Sequence, residues 1–303
     1  MSNTKRITYF TEWKGEHTML RPLKEFEFDT YIDFAYELAL DLTRSGYPTY
    51  CDGFKTRDNF VFRIRKSLDC PTEDILLFEE NGQAEGLIVF QHLEEERYLQ
   101  AFVFNIRRDT GTALAEFVDW CRERWPGSDL YLGFPAENTQ ALSWLEGAGA
   151  PCISRSWNYG YFLDQYTPLP EPSGVKRVTA ENFADFAAIH HRIEGDMYWN
   201  CDRVRESLDK WAIFVTGEGD SAGEVLMTID EGPHKEIFAL EFADGQYREG
   251  SFRALLTAGL NTLKEKGAKY LTFFVDVGGS EGEALKALGF QLVGAYICHR
   301  IKL

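Results

Sequence analysis

The stretch Arg107-Arg108-Asp109-Thr110-Gly111-Thr112-Ala113 has the makings of an anion site. Two guanidinium groups precede a short polar turn, and an apolar helical pattern follows. The first amides of a helix have no partner within it, and the helix dipole adds partial positive charge, so a phosphate binds well there. Gly111 lacks a Cβ where backbone and ligand must approach. Ala113 keeps the next contact small, and Arg108 can add a charge-assisted bond. The two common phosphate loops are absent: there is no GxxxxGK[ST] and no GxGxxG with an acidic residue downstream. Other groups that could do chemistry are sparser. Glu94, Glu95 and Glu96 precede an apolar run, and Glu96 is the candidate general base. His190 and His191 are adjacent, so they point apart on a helix and do not form a metal pair. The expectation is a protein without a metal. Six cysteines are scattered with no CxxC spacing, which fits reduced thiols in a cytoplasmic protein.

The elements that must position these residues repeat. In the first half, DILLFEE, AEGLIVFQ and RYLQAFVFNI read as strands, the first two joined by an Asn-Gly turn that signals a hairpin. Leu114, Phe117, Val118 and Cys121 then form one helical stripe, DLYLGF is a strand, and ENTQALSWLEGAGA is a short helix ending at glycine. The second half repeats this order with WAIFVTGEG, AGEVLMTI, KEIFALEF, a helix opened by YREGSF, the strand KYLTFFVD and the helix EGEALKALGF. Gly111 and Gly250 lie 139 positions apart, and Gly149 and Gly289 lie 140 apart. A duplicated α+β domain is expected. Residues 164–174, with three prolines, read as a stiff join between residues 1–163 and residues 175–303. Residues 1–16 read as an extra N-terminal piece.

Arg108-x-x-Gly111-x-Ala113, after a third strand and before a helix, resembles the pyrophosphate loop of the GCN5-related N-acetyltransferase superfamily. Asn138-x-x-Ala141, running to Gly149, resembles that family's N-x-x-A segment. The resemblance covers both halves. It implies two tandem domains, each a mixed, mostly antiparallel central sheet flanked by helices, and an enzyme that uses acetyl-CoA. By the resemblance, the strand ending at Val103 splays from its neighbour and pairs with the pantetheine arm. The amides of Thr110, Gly111, Thr112 and Ala113 hold the pyrophosphate with Arg108 and Asp109 beside them, and Asn138 orients the arm near the thioester. The amine then attacks the acetyl carbonyl directly.

The sequence also departs from the family. Leu145 stands where a tyrosine general acid is common, and Tyr159 and Tyr161 read as packing aromatics. Tyr247 and Phe252 replace the Arg/Gln and Gly/Ala of the loop, so the second half reads as degenerate and CoA is expected in the first. The formal charge of −16 lacks a basic footprint for nucleic acid and favours a small cationic amine as acceptor. No apolar run of about 18 residues exists, and MSNTKRITYF lacks the apolar core of a signal peptide. Two other readings are an inactive ligand- or partner-binding protein and an aminoacyl transferase of the same tandem fold. Oligomeric state is left open.

Overall fold

The computed structural model describes residues 19–46, 56–195, 197–229 and 232–303. The extra N-terminal piece lies outside these residues. The first half runs β1 (Leu20–Pro22), α1 (Phe28–Ala39), α2 (Arg57–Asp69), β2 (Glu73–Glu80), β3 (Gln83–Leu93), β4 (Tyr98–Ile106), α3 (Thr110–Arg124), β5 (Asp129–Pro135), α4 (Thr139–Gly147) and β6 (Cys152–Phe162). The second half repeats the order as β7 (Val175–Arg177), α5 (Phe183–His190), α6 (Cys201–Glu206), β8 (Trp211–Thr216), β9 (Gly223–Thr228), β10 (His234–Phe242), α7 (Glu249–Glu265), β11 (Tyr270–Asp276), α8 (Glu281–Ala287) and β12 (Gln291–Lys302). No helix among the described residues is long and apolar enough to cross a membrane.

Local chemistry explains the boundaries. Asn81 and Gly82, at φ 51° and 75°, make the tight turn of the β2–β3 hairpin. Thr56, Asp109, Asn138 and Asn200 cap α2, α3, α4 and α6 with their side chains. Gly149 and Gly289, at φ 72° and 95°, follow the ends of α4 and α8. In each half the alternation along the strands buries two faces. α1 and α2 cover one face of the first half, and α3 and α4 the other. In the second half α5 and α6 cover one face, and α7 and α8 the other.

The two sheets merge. Among the described residues one 12-stranded sheet runs β1-β2-β3-β4-β5-β12-β6-β11-β10-β9-β8-β7. The last strand of each half skips its own half: β12 lies between β5 and β6, and β6 lies between β12 and β11. Tyr159 and Tyr161 thus pack into the core of the second half, Tyr161 stacking on Phe290 at 4.8 Å. The join 164–174 runs beside α7, where Asn261 bonds both N–H and C=O of Leu169.

Two splits open in this sheet. β4 and β5 pair in parallel only from Tyr98–Ala101 to Asp129–Leu132, then diverge. β10 and β11 pair only from His234–Ile237 to Tyr270–Phe273, then diverge. A bulge marks each split, because Phe102 in β4 and Phe238 in β10 have no partner across the antiparallel ladder.

Candidate functional site

The first split holds the expected residues in an unexpected arrangement. Asp109 sits in the left-handed region at φ 49° and caps α3. Its carboxylate accepts from Thr112 N at 3.0 Å and from Thr112 Oγ1 at 2.7 Å. These two bonds hold the carboxyl below the usual carboxylate range. A fixed negative charge therefore occupies the end of α3 where a phosphate was expected. A Cβ on Gly111 would lie 3.3 Å from Trp144 Cδ1, so this glycine makes room for Trp144 of α4. Arg108 is exposed and has no hydrogen bond or ion pair among the described residues.

The trough beside β4 is filled by the chain itself. Arg107 N donates to Glu85 O at 2.7 Å, so the alternation turns the backbone groups of Val103 and Asn105 towards β3. Phe104 and Ile106 face the split instead. There Ile106 N donates to Arg44 O at 2.9 Å, and a Cβ on Gly46 would lie 3.1 Å from Phe104 N. Asn138 Nδ2 donates to Ser45 O at 3.1 Å, while its Oδ1 accepts from Ala141 N at 3.2 Å. Residues 44–46 thus take the contacts expected of a pantetheine arm. Val103 has the wrong backbone direction for that arm, and both polar atoms of Asn138 are engaged. Glu96 pairs with Arg203 of α6 at 2.9 Å. It lies six residues before the bulge at Phe102.

Among the described residues the second split is open. Ala243 N donates to Ala222 O at 2.9 Å, so Leu240 and Phe242 turn their backbone groups to the split. Among the described residues no segment hydrogen-bonds to Leu240 there, and there Phe242 O accepts only from Gly245 N. The first turn of α7 has no side-chain cap. Arg248, at its start, is drawn back onto Asp244 through contacts of 2.8 and 2.6 Å. A Cβ on Gly250 would meet nothing within 4 Å.

Acidic groups line this split on the α5 and α6 face. Glu241 of β10 and Glu224 of β9 are cross-strand partners on that face, and Asp276 of β11 lies on it across the split. Glu241 as a residue is exposed, although protein atoms crowd its carboxyl. Burial, then repulsion from Asp276, Glu281 and Glu224, pushes its carboxyl up to about 7. Glu224 is fully buried with His190, whose Nδ1 lies 2.5 Å from Glu224 Oε1. His190 Nε2 donates to Trp199 O at 2.8 Å, since a carbonyl can only accept. Burial opposes charge on the ring, yet the Glu224 contact outweighs it and raises the His190 pKa.

Aligned on the bulges, Asn105 and Leu87 of the first half match Glu241 and Glu224. Asn105 spends its amide on Ala35 O at 3.0 Å. Sequence reasoning missed Glu241 because it aligned the halves on Gly111 and Gly250. Phe102 precedes Gly111 by nine residues, whereas Phe238 precedes Gly250 by twelve.

The sequence matches no family model and no curated protein. Its fold does match solved structures. A GCN5-related N-acetyltransferase from Sphaerobacter thermophilus is 18% identical, with a TM-score of 0.64 over 93% of this chain and 95% of that one. A tandem protein of the same superfamily from the clavulanic acid biosynthesis pathway is 14% identical, with a TM-score of 0.57 over 93% and 98%. A glucosamine N-acetyltransferase region of a fungal multi-domain β-N-acetylglucosaminidase is 11% identical, with a TM-score of 0.60 over 95% of this chain and 38% of that one. At these identities the likeness is one of architecture, and the chain has the fold of the GCN5-related N-acetyltransferases in tandem.

Proposed function

We propose that the protein is an acyltransferase that moves an acetyl group from acetyl-CoA to the amine of a small cationic acceptor, and that the second split is its working cleft. In this reading residues 1–163 and 175–303 are the duplicated units and 164–174 their join. The observation that carries the choice of cleft is the contrast between the two troughs. Residues 44–46 fill the first, while among the described residues the Leu240 edge of the second is unpaired.

An arm bearing amides adds to such an edge as a further strand would. The pyrophosphate then meets the uncapped amides of Glu249, Gly250 and Ser251 at α7, where the helix dipole favours negative charge. The acceptor enters on the face that carries Glu241 and Asp276. Its nitrogen attacks the thioester carbonyl, a tetrahedral intermediate forms, and CoA leaves as the thiolate. The proton lost by the amine passes to Glu241, whose pKa near neutrality suits a general base. Alignment of the two reactants supplies most of the acceleration, and no covalent enzyme intermediate is required.

A second reading places the arm in the first split, because Arg108 is unpartnered among the described residues in an R-x-x-G-x-A stretch. It requires residues 44–46 to withdraw. The activity itself is tested by following CoA thiol release from acetyl-CoA against a panel of amines, with wild type and Glu241→Gln. Transfer to a cationic amine that falls about 10²-fold in Glu241→Gln supports the proposal. Absence of transfer to any amine overturns it.

A further inference from the structure

His191, Glu194 and Cys201 converge where α5 passes to α6. One ring nitrogen, one carboxylate oxygen and the sulfur all lie within 4.8 Å of one another. The cluster is already knit together. His191 Nδ1 lies 2.8 Å from Glu194 Oε1, and Cys201 N donates to Glu194 Oε2 at 2.7 Å. His190 is buried against Glu224 and His191 is exposed, yet both approach the Glu194 carboxylate, at 3.9 and 2.8 Å.

Ligands held about 2.0–2.3 Å from a tetrahedral ion stand roughly 3.5 Å apart. The 2.8 Å His191–Glu194 pair must therefore open slightly while pairs as long as 4.8 Å close by about 1 Å, and rotation of the exposed His191 ring serves the first change. A nitrogen, an oxygen and a sulfur donor make a borderline-soft set. Thiolate disfavours magnesium and calcium, and the set suits zinc. We propose that His191, Glu194 and Cys201 form a three-ligand zinc site with water in the fourth position. On binding, a Zn–S bond replaces the S–H bond, the proton passes to solvent, and no oxidation occurs.

The ion would pin a corner that reaches well beyond itself. The same connection carries Trp199, whose carbonyl accepts from His190, and α6 carries Arg203, which pairs with Glu96 of the first half. Zinc would thereby fix the wall of the second split and its bond to the other half of the molecule.

The test is titration of the full-length protein with Co²⁺, whose thiolate complexes absorb in the near ultraviolet. The expected result is a charge-transfer band that saturates at one equivalent and disappears on adding zinc. Cys201→Ser should abolish the band, and Cys152→Ser, at an exposed cysteine, should keep it. His191→Ala alters an exposed side chain and leaves the fold intact, and it should weaken binding at least tenfold. No band at one equivalent, or a band that survives Cys201→Ser, overturns the proposal.

Discussion

At the scale of the residue, the two halves differ most where they are most alike. Asn105 and Glu241 occupy the same place beyond their bulges, yet one is a neutral amide bound to α1 and the other an acid among acids. Glu241 must be ionised to accept a proton, so the acetylation rate should rise with pH through about 7. Glu241→Gln should lower the rate about 10²-fold and flatten that limb, as a pH–rate profile of both proteins would reveal. Stability should move the other way. Folding raises this carboxyl from its ordinary 4.5 to about 7, so between those values the folded chain holds a proton that the unfolded chain has lost. The contribution of Glu241 to stability is thus full below 4.5 and is lost as pH rises to about 7. Melting temperatures across that window should fall less in Glu241→Gln than in wild type. The pair His190–Glu224 gives a further prediction. Removing the ring in His190→Ala leaves a fully buried carboxyl without its partner, at a cost of about 3–5 kcal/mol in denaturant unfolding.

At the scale of the element, the exchanged strands β6 and β12 join the halves. A Cβ on Gly160 of β6 would run into the Tyr270 hydroxyl, and Tyr270 is only 1% exposed, so its ring has no free path away. Gly160→Ala should cost about 1–3 kcal/mol by overpacking. Because β6 lies on the seam, both halves should still unfold in one transition, with tryptophan fluorescence and circular dichroism coinciding. This exchange was not legible in the sequence. Local signals gave the order of elements: the Asn81-Gly82 turn, the Leu114–Phe117–Val118–Cys121 stripe, and the glycines that follow α4 and α8. Partner choice between β6 and β12 is a long-range matter, and two similar apolar strands carry no mark of it. The bulges were equally hidden, since Phe102 and Phe238 look like any strand residue. The letters of Arg108-x-x-Gly111-x-Ala113 fit a phosphate loop, but its distance from the split does not match that of the second half. Glu96 was visible as a carboxylate, but its ion pair with Arg203 arises only when the halves meet.

At the scale of the whole molecule, the charge of −16 draws cations towards the acidic side of the second split. The KM for a cationic amine should therefore rise with ionic strength, because the screening length falls from about 8 Å at 0.15 M to about 3 Å at 1 M. The KM of a neutral acceptor should stay constant in the same initial-rate series. One 12-stranded sheet carries two splits, and the central claim is that only the second receives the thioester. Gly250 offers a clean way to ask, since a Cβ there meets nothing within 4 Å. The most direct test is calorimetric titration of acetyl-CoA into Gly250→Glu and Gly111→Glu. The account predicts that a carboxylate at the start of α7 abolishes binding, while Gly111→Glu stays within about twofold of wild type, below the ~1.4 kcal/mol of a tenfold change. Binding intact in Gly250→Glu and lost in Gly111→Glu would contradict it.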